Sequence, residues 1–94
     1  MKVRYSSLAL AELDAIPATI QAGNVDAAVR FETRIRRVVE RIGEFPRSVQ
    51  EVAGRPGIRR IPLVRDPYLI HYTVRNDEVV ILRIIHGARR NPWR

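Results

Sequence analysis

The chain has no cysteine, one lysine, one tryptophan and only 6% aromatic residues in 94 positions. Without cysteine it can build neither a disulfide framework nor a thiolate metal site, which fits a reducing compartment. No apolar run approaches the ~20 residues of a membrane-spanning helix. Residues 1–5 lack the basic-then-apolar layout of a secretory signal. The expected location is therefore the cytoplasm, with no membrane partner. Acid is also scarce: 17 basic against 10 acidic side chains give a net charge of +7. The shortage is most marked after Glu78, since residues 79–94 contain no acid at all. Nothing in the chain calls for a metal ion or another cofactor.

What remains is an ordinary globular composition, with 46% hydrophobic and 29% charged residues, which argues against disorder. The length predicts one domain over 1–94 with a thin core, because a chain this small buries only about 60–65% of its unfolded surface. Every basic residue except Lys2 is arginine, and arginine offers a planar fork of donors suited to phosphate and carboxylate. A GC-rich genome alone would favour arginine over lysine, but it does not produce the excess charge. The partner expected from that charge is anionic: nucleic acid, a ribosome or an acidic protein segment. Residues 59–94 hold most of the imbalance and are the place to look for that partner.

Residues 2–5 alternate polar and apolar like a half-buried strand. Ser6 and Ser7 can each cap a following helix, in which Ala9, Leu13, Ile16 and Ile20 recur at helical spacing. Pro17 predicts a kink or break near Ile16, because it lacks an N–H and its ring crowds the carbonyl of Leu13. Gly23 and Asn24 then predict a short turn into a second helix. There Ala28, Phe31, Ile35, Val38 and Ile42 make one apolar stripe. Arg30, Arg34, Arg37 and Arg41 lie elsewhere on the cylinder, where a solvated face is the plain expectation, and Gly43 is placed as the C-terminal cap.

Residues 44–57, with Pro46, Gly54, Pro56 and Gly57, predict a loop. Ile58, Ile61, Leu63 and Val64 predict a strand in which Pro62 implies an edge or a bulge. Turns at Asp66-Pro67 and Asn76-Asp77-Glu78 separate two further strands over 68–74 and 79–86. The expected fold is α+β: an N-terminal strand and a helical hairpin packed on an antiparallel sheet. The hairpin covers one sheet face, and the other must be polar or covered by a partner.

Five segments in this order, SLALAELDAI (7–16), AAVRFETRI (27–35), GIRRI (57–61), PYLIHYTV (67–74) and VVILRIIHGARR (79–90), make the chain resemble the ParE/RelE superfamily of type II toxins. The most specific is the last, an apolar strand carrying Arg83 and ending in His86-Gly87 before arginines. The resemblance implies two helices on an antiparallel sheet. It also implies a cognate acidic antitoxin that wraps the toxin, and one of two targets. RelE-like members cleave mRNA in the ribosomal A site without a metal, and ParE-like members poison DNA gyrase.

A metal-free ribonuclease needs a proton donor or acceptor and arginines on the phosphate. In the RelE-like reading those are His86 and Arg83, with His71 or Tyr72 stacking on a base or moving a proton. In either reading Arg59, Arg60, Arg65, Arg83, Arg89, Arg90 and Trp93 are the candidates for engaging an anionic target. The structural alternative makes His86 a satisfied strand-end histidine, Tyr68 and Tyr72 core or rim, Arg83 an ion-pairing residue and Trp93 a packing lid. The chain departs from the RelE-like pattern: its only lysine is Lys2 and no tyrosine follows Tyr72. That tilts the expectation toward ParE-like, non-catalytic action. For the antitoxin, the apolar residues outside the main stripe, Leu8, Leu10, Leu13, Val25, Val29 and Val39, predict a docking surface on the hairpin. A third possibility outside the family is a small basic RNA-binding module.

Overall fold

The computed structural model describes residues 1–20, 25–63, 65 and 67–87. Gly23, Asn24, Val64, Asp66, Arg89, Arg90 and Trp93, each given a role above, lie outside the described residues. The elements run β1 (Lys2–Tyr5), α1 (Ser7–Ile20), α2 (Val25–Glu44), β2 (Arg59–Pro62), β3 (Tyr68–Arg75) and β4 (Glu78–His86).

Ser6 starts α1: its hydroxyl accepts from the backbone N–H of Ala9 at 3.0 Å, satisfying one of the free donors of the first turn. Ala9 and Ile16 are buried and Leu13 packs beside them. Contrary to the expected break, α1 runs through Pro17 to Ile20. The missing Pro17 N–H removes one rung near the helix end, after the preceding turns are already fixed against the sheet by Ala9, Leu13 and Ile16.

In α2 the buried residues are Ala28, Phe31, Ile35, Val39, Ile42 and Gly43. Val39 therefore belongs to the core rather than to an exposed apolar face, while Val38 is only partly buried. Positions 35, 39 and 42 fall on one helical arc, and 38 falls to its side. Gly43 is inside the last turn and not beyond it. It lets β1 approach, since a Cβ there would meet Val3 Cγ2 at 3.1 Å and the Met1 carbonyl at 3.2 Å. The Met1 ammonium donates to the Gly43 carbonyl at 2.9 Å, a cation at the negative end of a helix.

The sheet order is β1-β4-β3-β2. β2, β3 and β4 form the expected antiparallel meander, and Pro62 stands on the edge strand, where its missing N–H costs no ladder bond. Asn76 and Asp77 join β3 to β4 with φ of 48° and 60°, the left-handed pair that a tight hairpin turn needs. β1 is itself a sheet strand and lies parallel to β4, so the sheet is mixed. The helical hairpin is part of the long crossover that a parallel pair requires.

The helix-side core gathers Phe31, Ile35, Val39, Ile42, Ile70, Tyr72, Val79, Ile81 and Ile84. The other sheet face is not simply polar: His71, Thr73, Val80 and Ile85 are buried as well. The loop 45–58 reaches that face, where the Thr73 hydroxyl donates to the Gly57 carbonyl at 2.7 Å. No helix among the described residues is long and apolar enough to cross a membrane.

Candidate functional site

The second half of β4 is where charge and structure converge. β1 pairs with β4 only as far as Tyr5 opposite Ile81. Tyr72 pairs with Ile81 but His71 pairs with Arg83, leaving Leu82 as a bulge, which bends and twists the strand locally. Beyond Ile81, α1 takes the place of a neighbouring strand. The Ser6 hydroxyl donates to the Leu82 carbonyl at 2.9 Å, and the Ile84 N–H donates to Glu12 Oε1 at 2.9 Å. The same carboxylate receives Arg83 through Nε at 3.1 Å and Nη2 at 2.7 Å on Oε2. This is a forked, charge-assisted pair, with both side chains less than one-fifth exposed. The hydrogen bond from Arg83 to Glu12 raises the arginine's pKa, against a smaller opposing effect of burial. Arg83 thus serves as an ion-pairing residue at the sheet edge.

His71 lies between two arginines across the sheet, opposite Arg60 on β2 and Arg83 on β4. It is 1% exposed. Burial, reinforced by the positive charges of Arg60 and Arg83, lowers its pKa to about 4. It is neutral at physiological pH and is no ready proton donor. Tyr72, also fully buried, donates its hydroxyl to the Pro46 carbonyl at 2.9 Å, and burial raises its pKa. Both are held inside the fold, away from any substrate base.

The remaining sheet arginines differ in freedom. Arg59 is half-buried and hydrogen-bonds through Nη1 to the Val49 carbonyl, tying the loop to β2. Arg60 and Arg65 are exposed. Arg60 lines an open hollow of about 490 Å³ with Pro62, Leu69 and Gly87. His86, at the end of β4, is exposed and meets the Tyr68 ring edge-on at 5.4 Å. Tyr68 in turn meets Phe31 at 5.7 Å. Because His86 pairs with Tyr68 and Arg83 with His71, three places along β3, the two side chains leave opposite sheet faces. His86 and Glu12 do share one small hollow of about 230 Å³ with Ala15, Ile16, Ile84 and Ile85. No group of three or more His, Cys, Asp or Glu side chains capable of holding a metal is found among the described residues.

The hairpin residues predicted to meet a partner do not form one patch. Leu8, Leu10, Val25 and Val29 are exposed. Leu8 and Leu10 flank the buried Ala9 on opposite sides of α1. Leu13 and Val39 instead floor a groove of about 430 Å³ between the helices, with Tyr5 and Ile35. Its rim carries Asp14, Glu32 and Glu40 against the single Arg36. On α2, Val25, Val29, Glu32, Arg36 and Glu40 share one flank, within an arc of about 80°. The groove is therefore apolar with an acidic rim, on a protein that is strongly basic overall.

Sequence reasoning missed Glu12, whose carboxylate accepts four hydrogen bonds of 3.2 Å or shorter from Arg83 and Ile84. It stood off the apolar stripe of α1 with no local signal of a partner 71 positions away. The burial of His71 was equally hidden, since an alternating strand on a half-covered sheet would expose it. The acidic rim could have been found by asking which charged residues border the buried arc of α2.

These features define a small α+β protein of the ParE/RelE toxin superfamily. The family model for the ParE toxin of type II toxin-antitoxin systems, parDE, matches residues 3–91, and the chain belongs to that family. A relative from Sinorhizobium fredii (strain NBRC 101917 / NGR234), named "Putative toxin Y4kP", is 36% identical over 95 residues, covering 97% of this chain and 93% of the relative. Among solved structures, the chromosomal ParDE system from P. aeruginosa matches with a TM-score of 0.79 at 25% identity, covering 92% of this chain and 95% of that one. The isolated E. coli RelE toxin shares the fold, with a TM-score of 0.67 at 17% identity over 90% of this chain and 82% of that one.

Proposed function

We propose that this chain is the growth-inhibiting half of a cytoplasmic toxin–antitoxin pair and acts in the ParE-like manner, by binding DNA gyrase rather than by cutting RNA. The observation that carries the choice is the separation of Arg83 from His86. A nuclease needs a phosphate-holding arginine and a proton-transfer group on one substrate. Here Arg83 is engaged by Glu12, and His86 leaves the other sheet face. What remains accessible is a basic surface around Arg60 and Arg65, suited to holding an anionic partner, and continued in sequence by Arg89, Arg90 and Trp93.

The cognate antitoxin occupies the hairpin in this reading. An apolar helix lies in the groove over Leu13 and Val39, and Leu10, Val25 and Val29 extend the contact. Charge complementarity refines the partner. The portion over the groove carries basic side chains opposite Asp14, Glu32 and Glu40. Its acidic portion runs on to the arginines of the sheet.

Inducing the chain alone in a bacterial host tests the reading. Filamentation with a DNA-damage response and intact reporter mRNA is expected. Rapid translation arrest with cleaved mRNA would replace it by the nuclease reading, which draws on the hollow that Glu12 and His86 share. Separate His86→Ala, Arg83→Ala and Arg89→Ala variants would then lose the arrest.

A further inference from the structure

The two edges of the sheet are finished differently. On the β2 edge Pro62 has no N–H to offer, Glu51 bridges to Arg59, and the Val52 N–H donates to the Ile58 carbonyl at 2.7 Å. These are ordinary ways of closing an edge against another chain. β1, the opposite edge, has no such closure among the described residues. The Ser6 N–H donates to the Ile81 carbonyl at 2.9 Å, and Tyr5 stands in register with Ile81. In a parallel ladder that register turns the backbone groups of Lys2, Arg4 and Ser6 toward β4 and those of Val3 and Tyr5 away from it. Among the described residues no hydrogen bond reaches the N–H or the carbonyl of Val3 or Tyr5.

The side chains along that edge suit an extended guest. Val3 and Tyr5 are half-buried and pack against the core, while Lys2 and Arg4 are exposed on the opposite face. Beside Val3 a hollow of about 400 Å³ opens between β1 and α2, lined by Met1, Val39, Glu40, Gly43 and Glu44. It shares Val39 and Glu40 with the hairpin groove, so the two adjoin.

We infer that the open edge of β1 is a docking site for an extended segment of a partner protein, which adds to the sheet as a further strand. Main-chain donors and acceptors spaced for a ladder are met by another backbone, which neither nucleic acid nor lipid supplies. Alternation then sets the residue pattern of the guest. Its side chains on the helix side enter the hollow beside Val3 and are apolar. Those between them lie next to Lys2 and Arg4, two bases that share Glu78 across the ladder, and are acidic. A second copy of this chain is a poor guest. Antiparallel pairing of two β1 edges through Val3 and Tyr5 sets Arg4 against Arg4, or Lys2 against Arg4, and like charges directly opposite destabilise a sheet. The charges that block self-pairing thus select an acidic and apolar alternation. The site adjoins the hairpin groove and rests on the reading that a partner protein occupies it; what is added is the conformation and residue pattern of one segment.

Synthetic peptides of about six residues, the usual strand length, test the site by amide exchange. One alternates valine and glutamate, and the other has the same composition in two blocks. In the free chain the Val3 and Tyr5 amides exchange fast, whereas β4 protects the Arg4 amide. At saturation the alternating peptide is expected to slow exchange at Val3 and Tyr5 at least ~10-fold, and the block peptide to leave it unchanged. Val3→Pro removes an outward N–H and no ladder bond, while Val3→Ala trims the side chain and keeps the N–H. The proline variant should bind the alternating peptide about 5- to 10-fold more weakly than the alanine variant, as expected for one lost backbone hydrogen bond. The exchange measurement uses the unmodified chain and does not depend on either variant folding. No binding, binding without slower exchange at Val3 and Tyr5, or equal affinities of the two variants would each overturn the site. So would slow exchange of these amides through self-association without peptide, since the edge would then belong to a second copy. The toxin–antitoxin reading is decided separately by induction in the host, so the strand site can fail alone.

Discussion

Residues 78–81 of β4 have a strand on either side, whereas residues 82–86 have β3 on one side and α1 on the other. In the first half, backbone satisfies backbone, and the side chains are free to be apolar: Val79 and Ile81 are fully buried and Val80 nearly so. In the second half a helix cannot supply a ladder, so side chains do. Ser6 and Glu12 take up the backbone groups of Leu82 and Ile84. A carboxylate placed there for the backbone is costly to bury alone, and Arg83 neutralises it. The difference teaches that the charged pair of Arg83 and Glu12 follows first from how the sheet edge is closed. Its orientation then limits what Arg83 can do for a substrate.

The largest effect should come from the strand-flanked half. Ile81→Ala removes a fully buried side chain and should cost about 3–4 kcal/mol in urea unfolding. A loss below about 1 kcal/mol would mean that this half is not the rigid one.

Next is a pH effect across from the helix-flanked half. The folded pKa of His71, about 4, lies below the ordinary value near 6.5. The unfolded chain therefore binds the proton first as pH falls. The stability associated with the neutral imidazole is complete above pH ~6.5 and is lost as pH falls toward the folded pKa. Between pH 7 and 4.5 that loss is about 2–3 kcal/mol. His71→Gln should flatten the pH dependence over this window by a similar amount, whatever its effect at pH 7. Parallel profiles for the two proteins would show that His71 titrates normally.

Glu12→Ala should then cost about 2 kcal/mol, since it strands a half-buried guanidinium and a backbone N–H. Adding Arg83→Ala to it should cost little more, giving a coupling of about 1 kcal/mol or above in a double-mutant cycle. Additive losses would dissolve the proposed link between the sheet edge and Arg83. The smallest effect belongs to the first half's own ion pair. Arg4 and Glu78 meet at 3.0 Å, but the arginine side chain is 57% exposed. Glu78→Gln should therefore change stability by no more than about 0.5 kcal/mol. A larger loss would erase the contrast between the two halves.

Much of this architecture is written in local pattern. The stripe from Ala28 to Ile42, the Asn76-Asp77 turn and the apolar run of β4 are each set by neighbours within a few positions. So is the edge position of Pro62. The parallel pairing of β1 was not legible, because four alternating residues specify a half-buried strand but not its neighbour. The persistence of α1 through Pro17 depends on packing against β4, which a local propensity cannot weigh. At the site the reading was poorer. Val39 was placed outside the core because the stripe was drawn through Val38, one position away on the cylinder. Glu12 and His71 acquire their roles only when residues some 70 and 10 positions distant are brought beside them.

The central claim is that the chain disables its target by binding rather than by cleavage, and purified components test it most directly. DNA gyrase should lose supercoiling activity on a relaxed plasmid when this protein is added in stoichiometric amounts. The cognate antitoxin should restore it, while mRNA in a parallel translating extract stays intact. Undiminished supercoiling together with ribosome-dependent cleavage of that mRNA would contradict the account.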